Sequence, residues 1–251
     1  TFKKIIFNLF YTTEGVIGTP IGVCSTFIVL FIIFGAFLEK TGIADFFIQA
    51  ANALVGAARG GPAKVAVIAS ALEGMVSGSS VANTVGSGSV TIPMMKRTGY
   101  KGEFAGAVEA AASTGGQIMP PIMGAAAFLM AEMVGVPYAT VAVKAILPAV
   151  LYFTGIFLMV HLEAKKEGLR GLRKDELPNF WKLAVQKGYL LLPLILLIVM
   201  LATNYKTMAY CAMIATAASI IVSMFRKETR LTPSTFADAL ENAARNTIGV
   251  G

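Results

Sequence analysis

Apolar residues fall in blocks that reach or approach the ~20 residues a helix needs to cross a bilayer: 16–38, 104–130, 145–160, 188–205 and 207–225. The block at 145–160 is short and borrows length from Lys144 and His161 at its flanks. Together they predict an all-α membrane protein with about five transmembrane helices. Residues 41–58 differ. There Ile43, Phe46, Phe47, Ala50, Leu54 and Ala58 form a helical stripe beside Asp45, Gln49 and Asn52, which predicts an amphipathic arm lying along the membrane or bracing a neighbour. Thr232-Pro233 offers an N-cap and first helical residue for a second amphipathic helix over 232–246.

Two polar interruptions stand out against this pattern. Residues 77–89 read Ser-Gly-Ser-Ser-Val-Ala-Asn-Thr-Val-Gly-Ser-Gly-Ser, of which ten in thirteen are Gly, Ser, Asn or Thr and none is charged. Glycine disfavours helix by about 1 kcal/mol relative to alanine, and Ser and Asn compete for backbone hydrogen bonds. Irregular backbone at membrane depth survives only where protein buries it or it lines an aqueous cavity. The second interruption is Ser113-Thr-Gly-Gly116 with Pro120-Pro121, inside the block 104–130. Proline removes a donor and disfavours helix in the residue before it. Carbonyls around Thr114 to Gly116 are thereby offered to a cation, and a half-helix N-terminus near Pro121 to an anion.

Charge supplies the sidedness. Lys165, Lys166, Arg170, Arg173, Lys174, Lys182 and Lys187 mark the connection 163–187 as cytoplasmic. The two following blocks return Arg226, Lys227 and Arg230 to the same side. Counting back through 145–160 and 104–130 puts Lys96, Arg97 and Lys101 there too. Residues 65–95 then carry Glu73 as their only charge, and a re-entrant hairpin over 63–98, broken at 77–89, accounts for length, charge and polarity together. Lys3 and Lys4 fall outside, against the rule. The 251 residues are 56% hydrophobic and 14% charged with mean hydropathy +0.71, far from the ~25% charged of soluble domains. The net charge of +7 reads as topology rather than nucleic-acid binding. Cys24 and Cys211 lack metal-ligand spacing, and no transition-metal site or cofactor is expected. The start at Thr1 without a leader reads as a piece of something longer.

Offset by 234 residues, Thr1, Phe2, Asn8, Thr13, Gly15 and Val16 align with Thr235, Phe236, Asn242, Thr247, Gly249 and Val250. With an odd number of crossings between, the second copy is inverted, a pattern of secondary transporters. On this reading 1–230 is a first repeat and 231–251 begins a second.

The segment from Glu73 to Thr84, with Gly88-Ser-Val-Thr-Ile-Pro-Met-Met-Lys-Arg-Thr-Gly-Tyr100, resembles the first hairpin of the large membrane subunit of TRAP transporters. Gly115-Gly-Gln-Ile-Met-Pro-Pro121 is similar to the Gly-x-x-x-Pro-Pro element that follows it. Thr12-Thr-Glu-Gly15 and Phe34-Gly-Ala-Phe-Leu-Glu-Lys-Thr-Gly42 resemble the variants with fused small and large subunits. The resemblance implies one half of an inverted-repeat elevator transporter in the bacterial inner membrane, coupled to sodium and importing small organic anions such as carboxylates. Its implied partners are a periplasmic substrate-binding protein, a small Q-type membrane domain fused upstream, the permease's second repeat and the lipid bilayer. The implied sodium ligands are Ser79, Ser80, Asn83, Thr84, Gly115 and Gly116. Ser87, Ser89, Pro120 and Pro121 are the candidate substrate contacts.

Glu73 and Glu109 lie within membrane segments, where ionisable residues are costly and often functional, so they are candidate coupling acids for a proton-coupled carrier. A channel-like subunit is the other alternative. A membrane serine hydrolase would need a base near its serine, and the single histidine, His161, lies at a membrane edge far from 77–89. Glu132 reads as solvated near a helix end, and Trp181 and Tyr189 as interface anchors.

Overall fold

A computed structural model describes residues 1–12, 15, 18–173, 177–226 and 229–248. The expectations that involve Thr13, Glu14, Val16, Lys174, Lys227, Gly249 and Val250 lie outside these residues. Every regular element within them is helical, as hydrocarbon demands when each backbone N–H and C=O must be satisfied inside its own segment.

A short exposed helix α1 (Phe2–Phe10) precedes α2 (Thr19–Val23), which passes through a π-helical turn at Cys24–Ile28 into α3 (Val29–Lys40). Gly42, in the left-handed region at φ 82°, turns the chain into α4 (Ile43–Val55). The arm α4 buries Ile43, Phe46, Phe47 and Ala50 of the expected stripe, together with Ile48 and Ala51, while Leu54 stays exposed. Helix α5 (Gly61–Ser77) is buried almost all round. It reverses at Gly78 into α6 (Ser80–Gly86), and α7 (Gly88–Arg97) continues α6 beyond Ser87. Next come α8 (Gly102–Gly116), α9 (Ala125–Val134) and α10 (Tyr138–Lys166). Helix α11 (Phe180–Lys187) runs through a 3-10 turn at Gly188–Leu191 into α12 (Leu192–Ala202), before α13 (Met208–Ser223) and α14 (Pro233–Ile248).

Ile21–Lys40, Tyr138–Lys166 and Phe180–Ala202 are long and apolar enough to cross a membrane, and Ala125–Val134 and Met208–Ser223 are shorter apolar helices. The chain is a multi-pass, all-α membrane protein. Helix α10 extends well past the expected 145–160, its 29 residues reaching roughly 43 Å at ~1.5 Å per residue. Charged flanks did not stop it because Lys144 keeps its head exposed and His161 accepts at Nδ1 from Lys64 of α5 at 3.1 Å. By contrast 104–130 is two helices, α8 and α9, with irregular chain between.

Of four apolar clusters among the described residues, two flank the interruptions. One is aromatic: Phe31 of α3 packs on Phe128 of α9, which stacks on Tyr138 of α10 with ring centroids 4.3 Å apart. The other is made of small side chains, with Ala63, Ala66 and Val67 of α5 against Ala105, Val108 and Ala112 of α8 and Val160 and Ala164 of α10. Small residues let helix backbones approach closely in lipid, where packing rather than water exclusion drives association. Val143, Leu147, Val150, Leu151, Leu158 and Met159 face outward along α10, a surface suited to acyl chains.

Candidate functional site

The two interruptions meet. Helix α5 ends at Gly78, whose φ of 61° only glycine adopts without strain. Ser79 then caps α6, its Oγ accepting from the Ala82 N–H at 3.3 Å. The tip lies against the irregular chain after α8: a Cβ on Gly78 would fall 2.2 Å from the Met123 carbonyl oxygen. Gln117 donates from Nε2 to Ser80 Oγ at 2.9 Å. One turn behind the tip, Gly74 and Gly116 bring the backbones of α5 and α8 together so closely that a Cβ on Gly74 would stand 2.3 Å from Gly116 Cα.

The segment between α8 and α9 closes on itself. The N–H groups of Gln117, Ile118 and Met119 reach back to the carbonyls of Thr114, Gly115 and Gly116. The Gly-Gly pair therefore tightens the helix end. The Gly124 N–H bonds the Gln117 carbonyl at 2.8 Å, and the Tyr138 hydroxyl lies against the carbonyls of Pro121 and Ile122. Pro120-Pro121 is a cis bond.

Asn83 is fully buried, and its Nδ2 donates across the hairpin to the Ser70 carbonyl at 2.7 Å. That nitrogen sits 3.2 Å from where a Cβ of either Gly74 or Gly116 would be, so Asn83 fills the space behind their contact. Thr84 Oγ1 donates back to the Ser80 carbonyl at 2.8 Å, a local bond within α6. The structure thus gathers Ser79, Ser80, Asn83 and Gly116 around one junction, with Thr84 turned to its own helix and Gly115 packed against Tyr152 and Phe153 of α10. Of the candidate substrate contacts, Ser87 points into the α5–α8 core, Ser89 is exposed and bonds the Gly86 carbonyl, and the two prolines belong to the turn after α8.

The acids differ in company. Glu109 is fully buried and accepts from the hydroxyls of Ser70, Ser87, Thr91 and Ser113. Glu73 is also buried, but its Oε2 has no hydrogen-bond partner. Ser70, Thr91, Ser113 and Gln117 are not among the candidate site residues, although Thr91, Ser113 and Gln117 lie within the quoted motifs. Only Ser113, one turn after Glu109, left a local trace of its contact with that acid.

Beside the tip lies a cavity of about 860 Å³, lined by Ser79, Ser80 and Gln117, by the first turn of α9 and by Lys144 of α10. Lys144 has no ion-pair partner among the described residues.

Residues 3–251 match the model of the family described as the tripartite ATP-independent periplasmic transporter, DctM component. The chain belongs to this family. It is 30% identical over 198 residues to the C4-dicarboxylate TRAP transporter large permease protein DctM of Pseudomonas aeruginosa, an overlap covering 78% of this chain and 45% of that protein. Its likeness to the sialic acid TRAP transporter permease protein SiaT of Haemophilus influenzae is 26% over 195 residues, 78% of this chain and 31% of that protein. Against DctM of Vibrio cholerae, identity is 41% over 91 residues, which are 36% of this chain and 20% of that protein. The chain spans less than half the length of these relatives. For a DctM-family chain, the paired interruptions are the part of the fold that sets up a polar junction between buried helices.

Proposed function

We propose that this chain supplies one hairpin and one broken helix of a sodium-coupled permease that takes small organic anions from a periplasmic binding protein and carries them inward by an elevator motion. The observation that carries the reading is the apposition of the hairpin tip with the interruption after α8, through Gly74 with Gly116, Gly78 with Met123 and Ser80 with Gln117. Sodium is a hard cation served by neutral oxygens, and the junction offers Ser79 and Ser80 hydroxyls and the Gly116 carbonyl. For an anion, the adjoining cavity offers the Lys144 ammonium and the N–H groups of Ala125 and Ala126 at the start of α9. A small Q-type subunit, the remaining length of the permease and the bacterial inner membrane complete the proposed setting.

The test is uptake by the full-length permease with its small subunit and binding protein in proteoliposomes. Saturable, binding-protein-dependent uptake that needs an inward sodium gradient is expected. Ohmic conductance, or uptake indifferent to sodium, would overturn the reading. Proton coupling is the second reading, favoured by the buried, unpartnered Oε2 of Glu73. Under it, Glu73→Gln abolishes uptake driven by a pH gradient; undiminished uptake removes Glu73 from the coupling.

A further inference from the structure

Glu109 is buried among hydroxyls and forms no ion pair among the described residues. On α5, Lys64 is occupied with His161, and Glu73 is the other charged side chain toward the tip. Lys96 and Arg97 lie at the far end of α7, Glu103 lies in the first turn of α8, and α10 presents Tyr152, whose hydroxyl donates to the Ala111 carbonyl at 2.9 Å. What meets the Glu109 carboxylate is Ser70 Oγ at 2.7 Å and Ser113 Oγ at 3.2 Å, with Ser87 on Oε1 and Thr91 on Oε2. These donors come from both arms of the hairpin and from α8 itself. Each of two hydroxyls also has a backbone acceptor in reach: the Asn83 carbonyl is 2.8 Å from Ser87 Oγ, and the Ser87 carbonyl is 3.0 Å from Thr91 Oγ1. A hydroxyl has one proton to give. An acceptor at position 109 therefore decides which way these protons point.

The decision reaches the tip. Ser70 donates from Oγ to Glu109 while its carbonyl accepts from Asn83 Nδ2 at 2.7 Å. Ser87, whose single proton goes to Glu109, stands 3.2 Å from Asn83 Oδ1 without bonding it. Glu109, Ser70 and Asn83 thus form a chain behind the Gly74–Gly116 contact. We propose that Glu109 is the positioning residue of this junction, its carboxylate drawing the Ser87 and Ser70 hydroxyls so that both hairpin arms dock on α8 and Asn83 keeps its orientation. The sodium part of the test rests on the reading of the junction as a cation site; the positioning itself does not.

Glu109→Gln separates positioning from bulk. Gln has the same shape but replaces one carboxylate oxygen with a donor. The hydroxyls on that side, Thr91 in one amide orientation or Ser70, Ser87 and Ser113 in the other, lose their acceptor, and the hairpin remains folded with its register altered. The protein is the full-length permease, with spin labels at Val81→Cys and Ala126→Cys after Cys24 and Cys211 are replaced. Two quantities are read: the distance distribution between the labels, and the sodium concentration that half-saturates thermal stabilisation at constant ionic strength. Glu109→Gln should broaden the distribution and raise the half-saturating sodium about tenfold, the scale of one lost charge-assisted hydrogen bond. Glu109→Asp, which keeps the acceptor, should lie nearer wild type in both. Unchanged distances in Glu109→Gln would overturn the proposal. If the wild type shows no sodium-specific stabilisation, the cation reading fails while the distance readout still decides the positioning. Should Glu109→Gln not accumulate, Ser70→Ala, which removes the α5 donor, should broaden the distances in the same direction, and wild-type distances there would refute the role.

Discussion

Gly74→Ala tests the junction at its narrowest point. The new Cβ would stand 2.3 Å from Gly116 Cα and 3.1 Å from its carbonyl carbon, both backbone atoms that no rotamer change can move. The reciprocal Gly116→Ala places a Cβ 2.7 Å from Gly74 Cα. Ordinary contact begins near 3.4 Å, so α5 and α8 must part by about 1.1 Å in the first case and about 0.7 Å in the second. Overpacking of this kind costs about 1–3 kcal/mol. Parting the helices also loosens Asn83, whose Nδ2 lies 3.2 Å from either new methyl.

Gly106 provides the control on the same helix. A Cβ there meets nothing within 4 Å, so Gly106→Ala should be neutral or stabilising by up to about 1 kcal/mol through helix propensity. Thermal unfolding of the purified full-length permease ranks the three. Gly74→Ala should fall lowest by several degrees, on the scale of ~2–4 °C per kcal/mol, followed by Gly116→Ala, with Gly106→Ala at or above wild type. If Gly74→Ala unfolds with Gly106→Ala, α5 and α8 do not touch at these glycines, and the account of the junction falls with them.

Tyr138→Phe removes the hydroxyl that meets the Pro121 and Ile122 carbonyls while keeping the stack on Phe128. Stability should drop by about 1–3 kcal/mol, the cost of buried acceptors left without a donor, and wild-type unfolding would show that these carbonyls find another partner. If the permease carries an anion through this cavity, as proposed, Lys144→Gln should raise its KM with kcat little changed, because a cation would be lost from the binding site; an equal KM excludes Lys144 from the anion's path.

Much of this arrangement could be read from composition. The Gly/Ser run marks the place of the hairpin, although all of it but Gly78, Ser79 and Ser87 is helical, because the small residues of α5, α6 and α8 bury one another's backbones. Pro120-Pro121 marks the second interruption through the missing donor. The stripe of α4 is equally plain. The surroundings of Glu109 were hidden because three of its four donors, at 70, 87 and 91, come from the hairpin arms, and no periodicity links them to position 109. The length of α10 and the start of the helical run that ends in α12, which reaches back through α11 to Phe180, were misjudged for a related reason. Charge and aromatic polarity end an apolar run on paper, whereas Lys144 and Trp181 reach outward and the helix continues beneath them.

The distribution of polar contacts bears on motion. Glu109 ties α5 and α7 to α8, Tyr152 ties α10 to α8, Tyr138 ties α10 to the chain after α8, and Lys64 with His161 ties α5 to α10. Toward α3 the same group of helices presents mainly rings and aliphatic chains, with Phe31 on Phe128 and Tyr138 and Gly35 tight against the Val76 carbonyl, and Glu39 lines a cavity with Ser77 and Ser79. Breaking a buried hydrogen bond costs the full desolvation of its partners, whereas one apolar face sliding over another exchanges similar contacts in a medium that is itself apolar. The hairpin, α8 and α10 are therefore fastened to one another more firmly than to α3. On the proposed elevator reading, a rigid displacement that keeps the two interruptions paired would follow the weaker seam, and one that separated them would have to break the chain through Glu109, Ser70 and Asn83. An elevator motion needs that ordering of strengths, with the site carried whole.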